Sequence, residues 1–133
     1  MAHKKFSFSE IEISRNFSSR ISTKVDWDPN TNIIEAGDLL IIEVELPGVN
    51  KDDVSLLLQG SNELIIRGTK LQPRLNEPQV TYYLFEREFG SFYKKIIIDF
   101  PLDESKIKSV MENGVLIVQI PRKKVSKISV DIK

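Results

Sequence analysis

Apolar and polar side chains alternate with a period of two through most of the middle of the chain, which is the pleat of a half-buried β-strand. From Leu39 to Leu46 the apolar positions Leu40, Ile42, Val44 and Leu46 alternate with Ile41, Glu43 and Glu45, and Leu46-Pro47-Gly48 ends the run. Val54 to Leu58 offers Val54, Leu56 and Leu58 on one face, and Glu63 to Arg67 offers Leu64 and Ile66, with Gly60 and Asn62 supplying the turn between them. These two runs predict consecutive antiparallel strands. Phe92 to Phe100 is rich in β-branched residues and places Ile96, Ile98 and Phe100 on one side before Pro101 stops it. Asn113-Gly114 between Ile107–Met111 and Val115–Ile120 is the strongest hairpin signal in the chain, because both residues tolerate positive φ. Six or more short strands with turn punctuation predict an all-β, immunoglobulin-like sandwich.

Three stretches depart from this period. In the arm, residues 1–32, Ser9 and Glu12 form a capping box and Phe8 and Ile13 stand at the positions of a hydrophobic staple, predicting a short helix from about Glu10. Ile13, Phe17 and Ile21 then recur four apart, one apolar stripe on a helix too short to stand alone in water. It is expected to pack either on its own domain or on other chains. From Thr69 to Gln79 the chain carries Pro73, Pro78 and mixed charges without periodicity, followed by the β-prone run Val80 to Leu84; so long a connection in a small domain is functional or disordered. Beyond the body, residues 33–121, lies a tail, residues 122–133. Its five basic residues (Arg122, Lys123, Lys124, Lys127 and Lys133) outnumber Asp131 and give a formal charge of +4. A solvated, mobile tail and a nucleic-acid arm are the two readings of that charge.

Composition narrows the picture. At 133 residues the chain has room for one domain with an economical core. The 19 basic and 19 acidic side chains cancel, so no global field draws nucleic acid or anionic lipid. Cysteine is absent, which removes disulfides, thiolate metal sites and a cysteine nucleophile and fits a reducing compartment, with cytoplasm the default expectation. No run of about 18 apolar residues is present to cross a membrane, and Met1 to Glu10 lacks the apolar region of a secretory signal.

Catalysis has little support in this pattern. The single histidine, His3, cannot build a Ser-His pair or a His cluster, and the carboxylate pairs Glu43/Glu45, Asp52/Asp53 and Glu86/Glu88 fall on strand surfaces or turns where solubility explains them. Neither GxxxxGK[ST] nor GxGxxG occurs among the six glycines. No catalytic residue, metal site or cofactor is therefore expected.

At this point the residues resemble the small heat shock proteins, the Hsp20 or α-crystallin family, over about Ile33 to Pro121. The resemblance rests on Leu46-Pro47-Gly48-Val49 followed by Lys51-Asp52-Asp53-Val54, on Leu64-Ile65-Ile66-Arg67-Gly68, and on Glu86-Arg87 with Gly90 and Phe92 after it. It rests most on Asn113-Gly114-Val115-Leu116 leading to Ile120-Pro121. Ser109 stands where the family usually has Ala, and Lys94-Lys95 where it often has Arg, so a bidentate interface contact is replaced by a point charge. The tail offers Ile128, Val130 and Ile132, two overlapping versions of the family's Ile-x-Ile motif.

The resemblance implies an α-crystallin domain of the prokaryotic kind acting as an ATP-independent holdase, a chaperone that binds non-native client proteins and prevents their aggregation. It implies a homodimer made by strand exchange, with Val80, Tyr82, Tyr83, Glu86 and Arg87 at the contact. It further implies a larger homo-oligomer, often about 12 to 24 subunits, in which Ile128, Val130 and Ile132 dock in a groove formed by Val54, Leu56, Leu58, Val115 and Ile117 of a neighbour. Client capture falls to the arm, through Phe6, Phe8, Ile11, Ile13, Phe17 and Ile21. A monomeric or dimeric adaptor sandwich of the CS-domain kind is the alternative, but it would lack the closing Gly-Val-Leu signature, the long exchange loop and the alternating apolar tail. A nucleic-acid-binding tail would need aromatic residues among its charges, and residues 122–133 contain none.

Overall fold

The computed structural model describes residues 5–13, 18–60, 62–74, 77–123 and 129–133, with backbone alone for 5–13 and 18–24. Among the described residues nine strands make two sheets: β1 (Lys5–Ile13), β2 (Ser18–Val25), β3 (Thr31–Ala36), β4 (Leu39–Glu45), β5 (Val54–Gln59), β6 (Glu63–Lys70), β7 (Gly90–Ile98), β8 (Lys108–Glu112) and β9 (Val115–Pro121). One sheet runs β2-β1-β7-β6-β5 and the other β3-β4-β9-β8. Every pairing is antiparallel except that of β1 with β7.

The period-two runs deliver the core. Leu40, Ile42 and Val44 of β4, Leu64 and Ile66 of β6, Ile96 and Ile98 of β7, and Leu116, Val118 and Ile120 of β9 are all buried, and they meet in one cluster between the sheets. Fully burying each such side chain is worth about 1.5–3 kcal/mol, which is where the sandwich gains its stability. Trp27, just before β3, closes one end: its ring meets Phe92 edge-on at 5.5 Å, and its Nε1 donates to the Gly90 carbonyl at 2.9 Å. Gly68 is dictated by space, since a Cβ there would lie 2.2 Å from the Asp53 carbonyl oxygen and 2.7 Å from the Phe92 ring. At the β8–β9 hairpin Asn113 (φ 52°) and Gly114 (φ 75°) supply the two positive φ angles that a tight two-residue turn requires.

The arm is not helical where described. The expected helix from Glu10 is instead the end of β1, and β2 begins at Ser18; Phe17 lies outside the described residues. A helix of three turns nucleates at a cost that its few hydrogen bonds do not offset. The free edge of β7 offers a ready ladder, with Glu10 opposite Lys95 and Ile13 opposite Ile98. The apolar positions also change phase between Phe8 and Ile11, the stretch in which the β1–β2 register shifts.

Candidate interaction surfaces

Three regions carry the residues singled out by the sequence. The first connects β6 to β7, residues 71–89, in which no strand occurs among the described residues. Its C-terminal root is clamped: Ser91 donates through its backbone N (2.8 Å) and Oγ (3.0 Å) to Asp26 Oδ2, and Asp26 N donates to the Ser91 carbonyl at 3.1 Å. Beyond the clamp, Tyr82 packs edge-on against Phe85, and its hydroxyl accepts a hydrogen bond from Gln72 Nε2 at 3.1 Å. The outer side of the segment is uncovered. Tyr83 is 98% exposed and Leu84 73%, with Leu71, Val80, Tyr82 and Phe85 exposed as well. All five expected dimer-contact residues, Val80, Tyr82, Tyr83, Glu86 and Arg87, are exposed on this one segment.

At the root two cations converge. Lys70, the last residue of β6, is buried, and its Nζ lies 5.4 Å from the Trp27 ring centroid and 5.6 Å from that of Phe89. Arg87 stacks on the other ring contact, 4.9 Å from the Phe89 centroid. Burial first, and the Arg87 charge second, hold the Lys70 pKa below the ordinary lysine value. Lys94, placed by the resemblance at an interface, is buried within its own chain, 2.7 Å from Asp28 Oδ1 though poorly aligned for a hydrogen bond. Nothing local along the chain signals this pair, because a lysine and an aspartate 66 positions apart read as two surface charges.

The second region is the opening between the two sheets, where the edge strands β5 and β8 face one another. Val54 and Leu56 line a cavity of about 200 Å³ there with Val110, Met111 and Leu116. Leu58 lies further along β5, half-buried against the core. The strand across the opening is thus β8, with β9 contributing Leu116; Val115 and Ile117 alternate with the buried Leu116, Val118 and Ile120 and lie on the opposite face of their sheet. The geometry therefore does not bring Val115 and Ile117 together with Val54, Leu56 and Leu58.

The third region is terminal. Val130 is 78% exposed and Ile132 99%, while Ile128 lies outside the described residues. Phe6, Phe8, Ile11 and Ile13 fall on β1 and Ile21 on β2. Among the described residues no three His, Cys, Asp or Glu side chains gather as a metal site, and no helix is long and apolar enough to cross a membrane.

The model of the Hsp20/alpha crystallin family matches residues 32–133. Small heat shock protein C2 of Rickettsia felis is 33% identical over 106 residues, covering 80% of this chain and 68% of its own. Heat shock protein 16 of Schizosaccharomyces pombe is 33% identical over 110 residues, with 80% and 76% covered. Among solved structures, heat shock protein 16.0 from Schizosaccharomyces pombe superposes with a TM-score of 0.68 at 34% identity, over 80% of this chain and 99% of that one. HspA from Xanthomonas axonopodis gives 0.65 at 26% identity, over 73% and 95%.

Proposed function

Since this chain belongs to the Hsp20/alpha crystallin family, whose members are small heat shock chaperones rather than enzymes, we propose that it is an ATP-independent holdase. It binds non-native proteins and keeps them from aggregating, as a dynamic homo-oligomer assembled from strand-exchanged dimers in the cytoplasm. The observation that carries this reading is apolar surface displayed outside a completed core: Tyr83, Leu84, Val130 and Ile132 are each more than two-thirds exposed, while the sandwich interior is closed without them. Exposed apolar strips of this kind mark sites of protein association.

Three contacts follow. Val80 to Leu84 adds to a free sheet edge of a second copy, hiding both an unpaired backbone and the tyrosines. The tail residues Ile128, Val130 and Ile132 seat apolar side chains in the opening between β5 and β8 of a neighbour, against Val54, Leu56 and Met111. Burying two such side chains is worth about 1.5–3 kcal/mol each before ordering costs, so one docked tail exchanges readily. Many tails in one particle act together and make it durable. Clients are held by the apolar residues of the arm, from Phe6 to Ile21, and by openings that released tails vacate. Because each seal is weak, modest heating raises the population of free sites severalfold without nucleotide.

Light scattering combined with an aggregation assay on a heated client tests the reading. The parent is expected to form a large particle that suppresses aggregation without ATP, and the triple change of Ile128, Val130 and Ile132 to Ser to give smaller species. Deleting residues 2–21 removes β1 and half of β2 but no residue of the buried cluster, so it should keep the core of the sandwich and weaken client holding. A parent that is monomeric and leaves client aggregation unslowed overturns the proposal.

A further inference from the structure

Two positive charges at the root of the 71–89 segment lack a negative partner among the described residues. Lys70 is only 7% exposed, yet no carboxylate among the described residues lies within ion-pair distance of Lys70 or Arg87, and Lys70 makes no hydrogen bond to an acceptor there. The two side chains share a narrow space above Gly48, whose added Cβ would stand 3.4 Å from Lys70 Cε and 4.0 Å from an Arg87 terminal nitrogen. The Trp27 and Phe89 rings give cation–π attraction, but a ring face carries no net charge and leaves the pair at two positive units. A buried cation left without a counter-charge is costly, and like charges side by side add to the cost. By contrast Lys94, equally buried, has Asp28 at 2.7 Å.

We propose that Lys70 and Arg87 form a receptor for a carboxylate contributed by a second copy of this chain. The copy is favoured over a small free anion because the site is continuous with the uncovered apolar strip. Arg87, Phe89 and the exposed Glu86 line one cavity of about 130 Å³ together with Tyr82, Leu84 and Phe85. A chain lying over Tyr82 and Leu84 therefore passes Arg87, with Lys70 set deeper against the same Phe89 ring, whereas a free anion neutralises the pair and leaves the strip in water. A flat guanidinium beside an ammonium also suits the two oxygens of one carboxylate. This inference rests on the self-association proposed above and adds to it the chemistry that sets its register.

The test is sedimentation of the full chain across a dilution series, with thermal unfolding at the dilution where subunits are separate. Lys70→Met and Arg87→Gln are each expected to weaken self-association at least about tenfold, since truncating one side of a desolvated ion pair has effects of this size or larger. Both should flatten its salt dependence, and Arg87→Lys, which keeps the charge but loses the planar fork, should retain more of the association than Arg87→Gln. In separate subunits Lys70→Met is expected to unfold at the same temperature as the parent or higher, because it removes an unpaired charge while keeping an apolar stem. Unchanged association in a parent that does assemble overturns this inference alone, and so does a lower unfolding temperature for Lys70→Met, which marks a purely structural lysine. Inorganic phosphate that raises the unfolding temperature of separate parent subunits above chloride at equal ionic strength, with mass unchanged, assigns the site to a free anion and overturns the second copy. A parent that is monomeric at every concentration overturns this inference together with the assembly it rests on.

Discussion

The paired strands β4 and β9 and the segment 71–89 both carry several large apolar residues, and the chain treats them in opposite ways. In β4 and β9 a ladder from Leu39 opposite Pro121 to Glu45 opposite Val115 satisfies the backbone, and Leu40, Ile42, Val44, Leu116, Val118 and Ile120 are buried. In the segment, Leu71, Tyr83 and Leu84 stand in water with no strand partner among the described residues. Apolar content alone therefore does not mark the core. What separates the two regions is whether the backbone beneath the side chains has found its hydrogen bonds within the same copy.

Four variants sharpen this contrast. The largest effect on the fold is expected from Ile66→Ala, which opens a cavity at a fully buried position of β6 and should lower unfolding free energy by about 2–5 kcal/mol in denaturant titration. Asp28→Asn strips the buried Lys94 of its counter-charge; with Asp28 still partly in contact with water, a loss of about 1–3 kcal/mol is expected by the same measurement. Changing Tyr83 and Leu84 together to Ser should move the unfolding free energy of separate subunits by less than about 0.5 kcal/mol while shifting particle mass downward in light scattering. A loss as large as that of Ile66→Ala would erase the distinction between the two regions. The smallest effect belongs to Asp103→Asn. The Ser105 hydroxyl, 2.6 Å away, and then the Lys106 charge keep the Asp103 carboxyl below its ordinary pKa, so the folded state favours the ionised form. That stabilisation is present above the unfolded pKa and fades as pH falls through the folded one, so the slight gap between parent and variant should close in acid.

The body of the fold was legible because one face of each strand is buried and the other is not. Leu40, Ile42 and Val44 against Glu43 and Glu45 leave a single phase for β4. In β9 the signal is weaker: Val115 and Ile117 are as apolar as Leu116 and Val118, so the period does not say which set points inward, and the hairpin register decides it. The arm was harder still, because Ile13, Phe17 and Ile21 fit a helix, while its strand character depends on β7, some 85 positions away along the chain. The 71–89 segment was visible from its prolines and lost periodicity. The Lys70–Arg87 cluster was not, since it forms only when the ends of a long connection return to the same place.

The ladder between β4 and β9 has a consequence for synthesis. β4 ends at Glu45 and β9 begins at Val115, 70 positions further along, so the four-stranded sheet cannot close until that whole stretch and β9 itself have been made. For most of that interval Leu40, Ile42 and Val44 have no lid, and the nascent domain itself passes through an aggregation-prone stage that local hairpins such as β5–β6 shorten only in part.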